Sequence, residues 1–171
     1  MSIAKILVVD DSSTQRAIYR DILEMAGYNV VDANNGKEGI VKARSESPDV
    51  ILTDISMPEM GGIEMVRRLK NDDGTKYIPI ICASATFQDM ETKMEALLSA
   101  GAEEYFYMPQ DSRELLAKIA VMLRIRKIYD ELLEKNRQLK QFNDAAVGRE
   151  MKMVELKEKV KELEDKLSKK K

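Results

Sequence analysis

Short apolar runs alternate with amphipathic segments between Lys5 and Leu123. Near-continuous apolarity of this kind is typical of strands that are buried on both faces of a parallel sheet. Between the runs, apolar residues such as Ile18, Ile22 and Leu23 recur at helical spacing. Five strand signals that alternate with helix signals predict an α/β domain with a doubly wound, five-stranded parallel sheet. The predicted strands are Ile6–Val9, Asn29–Val31, Val50–Thr53, Ile78–Ala83 and Tyr105–Tyr107.

The pattern changes after Leu123, where a heptad repeat begins. The stretch Ile125–Lys171 has no proline, one glycine and no strand-like run. Eleven of the thirteen a and d positions in it are apolar, with Lys135 and Arg149 as the exceptions, and this repeat is typical of a coiled coil. The apolar positions are Ile125, Ile128, Leu132, Leu139, Phe142, Ala146, Met153, Leu156, Val160, Leu163 and Leu167.

This heptad segment predicts a homodimer. A helix of about 47 residues is roughly 70 Å long, which exceeds the width of a domain of about 125 residues. Most of the apolar seam would therefore contact water unless a second copy covered it. A helix that frays or that pairs with another protein is the alternative, and both parallel and antiparallel pairing stay open.

Two regions follow from these patterns: an α/β domain over residues 1–124 and a coiled-coil helix over residues 125–171. Neither glycine nor proline interrupts Arg113 to Val147, so the last helix of the domain is predicted to continue into the coiled coil. The second region is too short for another globular core. We therefore expect no DNA-binding, cyclase or phosphodiesterase output domain.

Composition and charge limit the partners and the cellular location that the sequence predicts. The net charge is −2, and it divides into about −6 for the first region and about +4 for the second. This distribution argues against a nucleic-acid partner. No apolar run approaches the roughly 18 residues of a membrane span, and the N-terminus lacks a signal-peptide pattern. A single cysteine fits a reducing compartment. These features predict a cytoplasmic protein without a membrane partner.

The chain contains no histidine. This absence excludes Ser-His-Asp and Cys-His nucleophile systems, HExxH zinc sites and a histidine phosphoacceptor. Any catalytic or metal chemistry must therefore use carboxylates, hydroxyl groups and the backbone.

Acidic and hydroxyl side chains follow the predicted strands. Asp10 and Asp11 come directly after the first strand, Asp54 ends the third, and Ser84 ends the fourth. Because the carboxyl ends of parallel strands meet at one edge of a sheet, these groups are expected to lie together. Carboxylates that lie close together repel one another unless a cation joins them, and Mg²⁺ suits such an open set of oxygen ligands.

Over about residues 3–124 the sequence resembles the receiver domains of two-component response regulators. The resemblance rests on Asp10-Asp11, Asp54, the loop 57–62, Ser84 within Ala-Ser-Ala, and Tyr105 with Pro109. It implies a flavodoxin-like receiver fold. It also implies a partner that donates a phosphoryl group, either a histidine kinase or a phosphotransfer protein.

The resemblance assigns a role to each of these positions. Asp54 is the expected phosphoacceptor. Asp11, Asp54 and the carbonyl of Ser56 are expected to bind Mg²⁺, with Asp10 acting through a water molecule. Ser84 is the expected switch hydroxyl and Tyr105 the switch aromatic, although Tyr105 is equally consistent with simple core packing. The only enzymatic acts expected are self-phosphorylation and autodephosphorylation at Asp54.

One position departs from the family pattern. The family has a lysine directly before the proline after the fifth strand, and this chain has Met108 there. Three interpretations follow: phosphorylation with Mg²⁺ alone, a substitute cation such as Arg113 or a partner residue, or a receiver-like dimeric adaptor that does not use phosphate. The retained acids and Ser84 favour the first, in which the chain signals through its coiled-coil dimer or docking helix.

Overall fold

A computed structural model describes residues 3–84, 90–107 and 112–168, with the backbone alone described for residues 84, 90–93, 106–107 and 163–167. Five strands alternate with five helices in this part of the chain. The strands are β1 Lys5–Val9, β2 Asn29–Ala33, β3 Val50–Asp54, β4 Ile80–Ser84 and β5 Glu104–Tyr107. The helices are α1 Ser13–Met25, α2 Gly36–Glu46, α3 Gly62–Lys70, α4 Met90–Ala100 and α5 Ser112–Ser168.

The strands form one parallel sheet in the order β2-β1-β3-β4-β5. The predicted doubly wound, five-stranded sheet is therefore confirmed, with β3 at its centre. β4 begins two residues later than the sequence pattern predicted, although the carbonyl of Pro79 still accepts a hydrogen bond from Ile51 N–H at 2.9 Å. Proline has no N–H group for a ladder, which explains why the strand begins after it.

Each face of the sheet packs against its own apolar cluster. Alternate residues of the buried strands point to opposite faces, as the pleat requires. Leu7 and Ile51 belong to the cluster that includes residues of α2, α3 and α4, whereas Ile6 and Leu52 belong to the cluster that includes residues of α1 and α5. Burial on both faces explains why the strands read as continuous apolar runs.

Helix α1 buries a different face from the one its apolar residues suggested. Ser12 caps the helix, as its side chain accepts a hydrogen bond from Gln15 N–H at 3.3 Å. Within the helix, Tyr19 and Leu23 are buried, Ile22 is partly buried, and Ile18 is 46% exposed. The buried face is therefore centred nearer to Tyr19 than the sequence pattern indicated.

Helix α5 runs without interruption from Ser112 to Ser168, which confirms the predicted long C-terminal helix. The chain divides into two compact units, Met1–Tyr129 and Asp130–Lys171. In the second unit the large apolar side chains at seam positions that the structure describes, such as Leu139, Phe142 and Val160, are more than half exposed. The coiled-coil pairing and the domain boundary at residues 124 and 125 stay predictions.

Candidate functional site

Asp10 and Asp54 lie at the same edge of the sheet because of the register between β1 and β3. Val9 is the register partner of Thr53, so the residues that follow, Asp10 and Asp54, continue opposite each other. Neighbouring strands lie about 4.8 Å apart, which brings these two acidic residues together. Ala83 is the partner of Asp54 on the other side, and the backbone of Ser84 follows it at this edge.

Glycine is required beside Asp54 by a close backbone approach. Gly62 begins α3, its N–H donates to the carbonyl of Ile55 at 2.9 Å, and a Cβ atom on it would lie 2.3 Å from the carbonyl oxygen of Asp54. Gly61 is the N-cap of the same helix. The first turn of α3 thus packs directly against the end of β3.

The Asp54 carboxyl group is half-buried and lies in a negative electrostatic environment. Burial raises its pKa to about 6, and the charges of Asp10 and Asp11 add to that increase. The backbone N–H groups of Ile55 and Ser56 oppose the increase, the latter through a hydrogen bond of 3.0 Å to Oδ2. Among the described residues, the negative charge of the Asp54 carboxylate is therefore poorly compensated.

Asp10 is 3% exposed and anchors the loop between β1 and α1. Its Oδ1 accepts a hydrogen bond from Ser12 N–H at 2.8 Å, and its own N–H donates to the carbonyl of Ala33 at 3.1 Å. Burial raises the pKa of Asp10, the Ser12 hydrogen bond and the charge of Arg16 lower it, and the charge of Asp11 raises it. The charge of Asp11 therefore raises the pKa of both Asp10 and Asp54, although these residues come from two distant parts of the chain.

Arg16 fixes the backbone of this loop from α1. Its Nη1 donates to the carbonyl oxygen of Asp10 at 2.6 Å, and its Nε lies 3.6 Å from Oδ2 of Asp32 on β2. Arg20 pairs with the other oxygen of Asp32, and Lys42 Nζ donates to the Asp32 carbonyl at 2.5 Å. Sequence reasoning missed Arg16, because nothing in its local pattern shows that it contacts a carbonyl group six residues earlier.

The oxygen donors at this edge fit Mg²⁺. The predicted direct ligands are the carboxylates of Asp11, which is exposed, and Asp54, together with the backbone carbonyl of Ser56. Mg²⁺ in proteins commonly binds one or two carboxylates and keeps several waters, so this set suffices. Within residues 3–84, 90–107 and 112–168, no three Asp, Glu, Cys or His residues form a ready-made metal cage. Mg²⁺ binding at these residues stays a prediction.

The structure describes the other predicted site residues to different extents. The backbone of Ser84 ends β4 at the acidic edge, but its side chain lies outside the description. Tyr105 is partly buried against the cluster of α2, α3 and α4, and its hydroxyl group is buried without a hydrogen-bond partner in the described structure. Met108 and Pro109 lie outside the described residues. The proposed switch roles of Ser84 and Tyr105 stay predictions.

Tyr19 is a second residue that sequence reasoning missed. Its side chain is 2% exposed, and its hydroxyl group is buried without a hydrogen bond to any described residue. Burial raises its pKa to about 12, and the negative charges of Asp10 and Asp54 add to that increase. The side chain of Gln15, one turn earlier on α1, opposes the increase. In the sequence, a tyrosine among the apolar residues of a helix is indistinguishable from a residue that only packs in the core. The fold is needed to show that Tyr19 lies near charged residues.

Comparisons with known proteins agree with this geometry. The model of the response regulator receiver domain matches residues 6–120, which is more than half of the chain. The chain belongs to the response regulator receiver family. Protein PilH of Pseudomonas aeruginosa is 40% identical over 120 residues, which cover 70% of this chain and 98% of PilH. The polar-differentiation response regulator DivK of Brucella anthropi is 35% identical over 104 residues, covering 61% of this chain and 83% of DivK.

The receiver fold is also that of solved structures. A CheY-like response regulator receiver domain protein from Methanospirillum hungatei superimposes with a TM-score of 0.68 at 29% identity, over 75% of this chain and 99% of that chain. These matches leave a quarter or more of the present chain unmatched. Among the helices that the structure describes, none combines the length and the apolarity that crossing a bilayer requires.

Proposed function

We propose that this receiver accepts a phosphoryl group on Asp54 and passes the signal on through its C-terminal helix. The observation that carries the proposal is the position of Asp54 at the end of the central strand, half-buried and beside Asp10 and Asp11, which raise its pKa. Such perturbed carboxylates cluster at functional sites. Because the chain has no histidine, the phosphohistidine donor would belong to a partner kinase or phosphotransfer protein.

The proposed transfer uses a carboxylate oxygen of Asp54 as the nucleophile. That oxygen forms the new P–O bond as the P–N bond of the donor phosphohistidine breaks, and the departing imidazole nitrogen takes up a proton from solvent. Hydrolysis would later release inorganic phosphate and regenerate the carboxylate. The Ser56 N–H group, 3.0 Å from Oδ2, would orient the carboxylate during attack.

Mg²⁺ would be held by Asp11, Asp54 and the Ser56 carbonyl, with Asp10 in contact through water. When bound, it supplies positive charge to the carboxylates and to the phosphoryl oxygens in the transition state. Asp10 is suited to its indirect role, because it is almost completely buried and one of its oxygens already accepts the Ser12 N–H group. Its other oxygen can still accept a hydrogen bond from a bound water.

The proposed output is a coiled-coil homodimer or docking helix formed by α5. In the second unit, the apolar seam includes Leu132, Leu139, Met153, Leu156 and Val160, each 54% to 59% exposed. Leaving such a row in water is unfavourable by about 25 cal/mol for each Å² that a partner helix would cover. A second copy offers the same seam and is the simplest partner.

Beryllofluoride binding would test the proposed acceptor. With Mg²⁺ present, adding beryllium and fluoride salts to the full chain should shift amide NMR signals around Asp54, because beryllofluoride mimics a phosphoryl group on a carboxylate. Asp54→Asn should show no such shifts, and omission of Mg²⁺ should abolish them in the wild type. If the wild type, like Asp54→Asn, showed no shifts on addition of beryllofluoride, the result would instead support the phosphate-independent adaptor that Met108 suggests.

A further inference from the structure

Two tyrosine hydroxyl groups are buried without hydrogen-bond partners in the described structure, those of Tyr19 and Tyr105. An unsatisfied buried hydroxyl is unfavourable, and each instance in a native protein calls for a physical reason. Tyr105 already has a predicted switch role, whereas Tyr19 has none. Its 2% exposure also means that bulk water does not satisfy the hydroxyl group in the unliganded protein.

The direction of α1 determines where the Tyr19 side chain points. The N-terminus of α1 follows Asp10 and Asp11 directly, so this end of the helix lies at the acidic edge of the sheet. Helical side chains are tilted toward the N-terminus of their helix, and long ones lie over the preceding turn. The Tyr19 ring therefore extends from the middle of α1 toward the edge that carries Asp10 and Asp54.

The packing of Tyr19 agrees with this direction. Tyr19 belongs to the same buried cluster as Val8 and Ala83. Val8 lies two residues before Asp10, and Ala83 is the register partner of Asp54. The two carboxylates are also the charges that raise the pKa of Tyr19, apart from the larger effect of its burial. Packing and electrostatics thus place the hydroxyl group beneath the acidic site.

We propose that the Tyr19 hydroxyl donates a hydrogen bond to the group that occupies Asp54, either a phosphoryl oxygen or the water that precedes it. The proposal rests on the proposed function of Asp54 as phosphoacceptor. A phenol is a neutral donor, so it can supply a hydrogen bond without adding a fixed positive charge. Such a donor would act beside Mg²⁺ at a site where Met108 replaces the family lysine, since methionine has no N–H or O–H group.

The test is the affinity of the full chain for beryllofluoride in the presence of Mg²⁺. Tyr19→Phe removes the hydroxyl and keeps the ring, so we expect the affinity to fall about tenfold, as for the loss of one hydrogen bond to a charged group. The thermal midpoint of the unliganded variant should change little, because among the described residues only the Gln15 side chain acts on this hydroxyl group, and no partner there meets full hydrogen-bond geometry. Tyr28→Phe is the matched control, since Tyr28 packs partly buried on the same cluster but follows the far end of α1.

A second readout follows the hydroxyl directly. In protein labelled with ¹³C at the tyrosine ζ carbon, the Tyr19 signal should shift when beryllofluoride binds, and the Tyr28 signal should not. Equal affinity of Tyr19→Phe and wild type, with an unmoved Tyr19 signal, would overturn the proposal and leave Asp54 as the acceptor. Failure of the wild type itself to bind, as in Asp54→Asn, would overturn both this proposal and the proposed function.

Discussion

At the residue scale, the charge of Asp54 is unfavourable for the folded protein. Its surroundings disfavour an isolated carboxylate, since burial and the charges of two neighbouring acids raise its pKa to about 6. Functional sites commonly keep such unfavourable arrangements at the expense of stability. The metal-free protein should therefore become more stable when this charge is removed.

Asp54→Asn should stabilise the metal-free protein at neutral pH. The pKa of Asp54 is raised from 3.8 to about 6 in the folded protein, so the folded state binds its proton more tightly than the unfolded state does. The resulting stabilisation is complete below about pH 4 and is lost as the pH rises through about 6. After allowance for partial exposure, we expect Asp54→Asn to increase the free energy of unfolding by about 1–2 kcal/mol near pH 7.5.

Urea denaturation in EDTA across this pH range measures the effect. The advantage of the variant should shrink toward zero near pH 4, whereas Asp21→Asn, an exposed change on α1, should show little advantage at either pH. A stability advantage of Asp54→Asn that grows toward acid pH would contradict a raised pKa for Asp54.

Arg16 is predicted to position the acidic loop. Arg16→Ala removes the 2.6 Å hydrogen bond to the carbonyl of Asp10, so the loop that carries Asp10 and Asp11 should lose its preferred conformation. We expect Mg²⁺ affinity, measured by calorimetric titration, to fall about tenfold, as is typical when the groups that orient metal ligands are lost. Arg20→Ala is the control, because Arg20 pairs with the same Asp32. Equal losses of Mg²⁺ affinity in Arg16→Ala and Arg20→Ala would indicate that Arg16 only supports the fold and does not position the acidic loop.

At the scale of elements, the connection from β3 to α3 determines the position of Asp54 at the end of its strand. The helix begins so close to the strand that only glycine fits at position 62, whereas Gly61 is less constrained: its Cβ would lie 3.0 Å from the Ile55 carbonyl oxygen. A side chain at position 62 would force the strand end and the helix start apart. The position of Asp54 should change with them.

Gly62→Ala should therefore be destabilising, by about 1–3 kcal/mol, as for other changes that overpack a well-packed site. The matched change Gly61→Ala should be less costly, because the N-cap residue has φ −74 and ψ 164, which any residue adopts readily. Chemical denaturation of both variants measures the difference. Equal stability of the two would show that the helix start can move freely.

The parallel sheet was predictable from the sequence, whereas several side-chain contacts were not. Runs such as Ile6–Val9 are apolar throughout because both faces of their strands are buried, and that pattern is local. The acidic residues at the strand ends could also be located, because strand ends converge at one edge of a sheet. The burial of Tyr19 in place of Ile18 and the contact of Arg16 with the Asp10 carbonyl depend on how α1 rotates against the sheet, which is a tertiary effect.

At the scale of the whole molecule, the heptad seam predicts that two chains associate. Light scattering should give twice the chain mass of 19.5 kDa at micromolar concentration. Leu139→Glu combined with Phe142→Glu places charges in the seam and should give monomers, because like charges would have to be buried together. Val147→Glu is the control, since Val147 is 55% exposed but lies outside the a and d positions. A monomeric wild type would contradict the coiled-coil dimer.

The central claim, that Asp54 is a phosphoacceptor, is tested most directly by intact-protein mass spectrometry. The full chain is incubated with acetyl phosphate and Mg²⁺, and borohydride reduction of the acyl phosphate then identifies the modified residue after proteolysis. We expect the mass of the wild type to increase by one phosphoryl group, with reduction confined to Asp54, and the mass of Asp54→Asn to stay unchanged. An unchanged wild-type mass, or equal modification of the variant, would contradict the central claim.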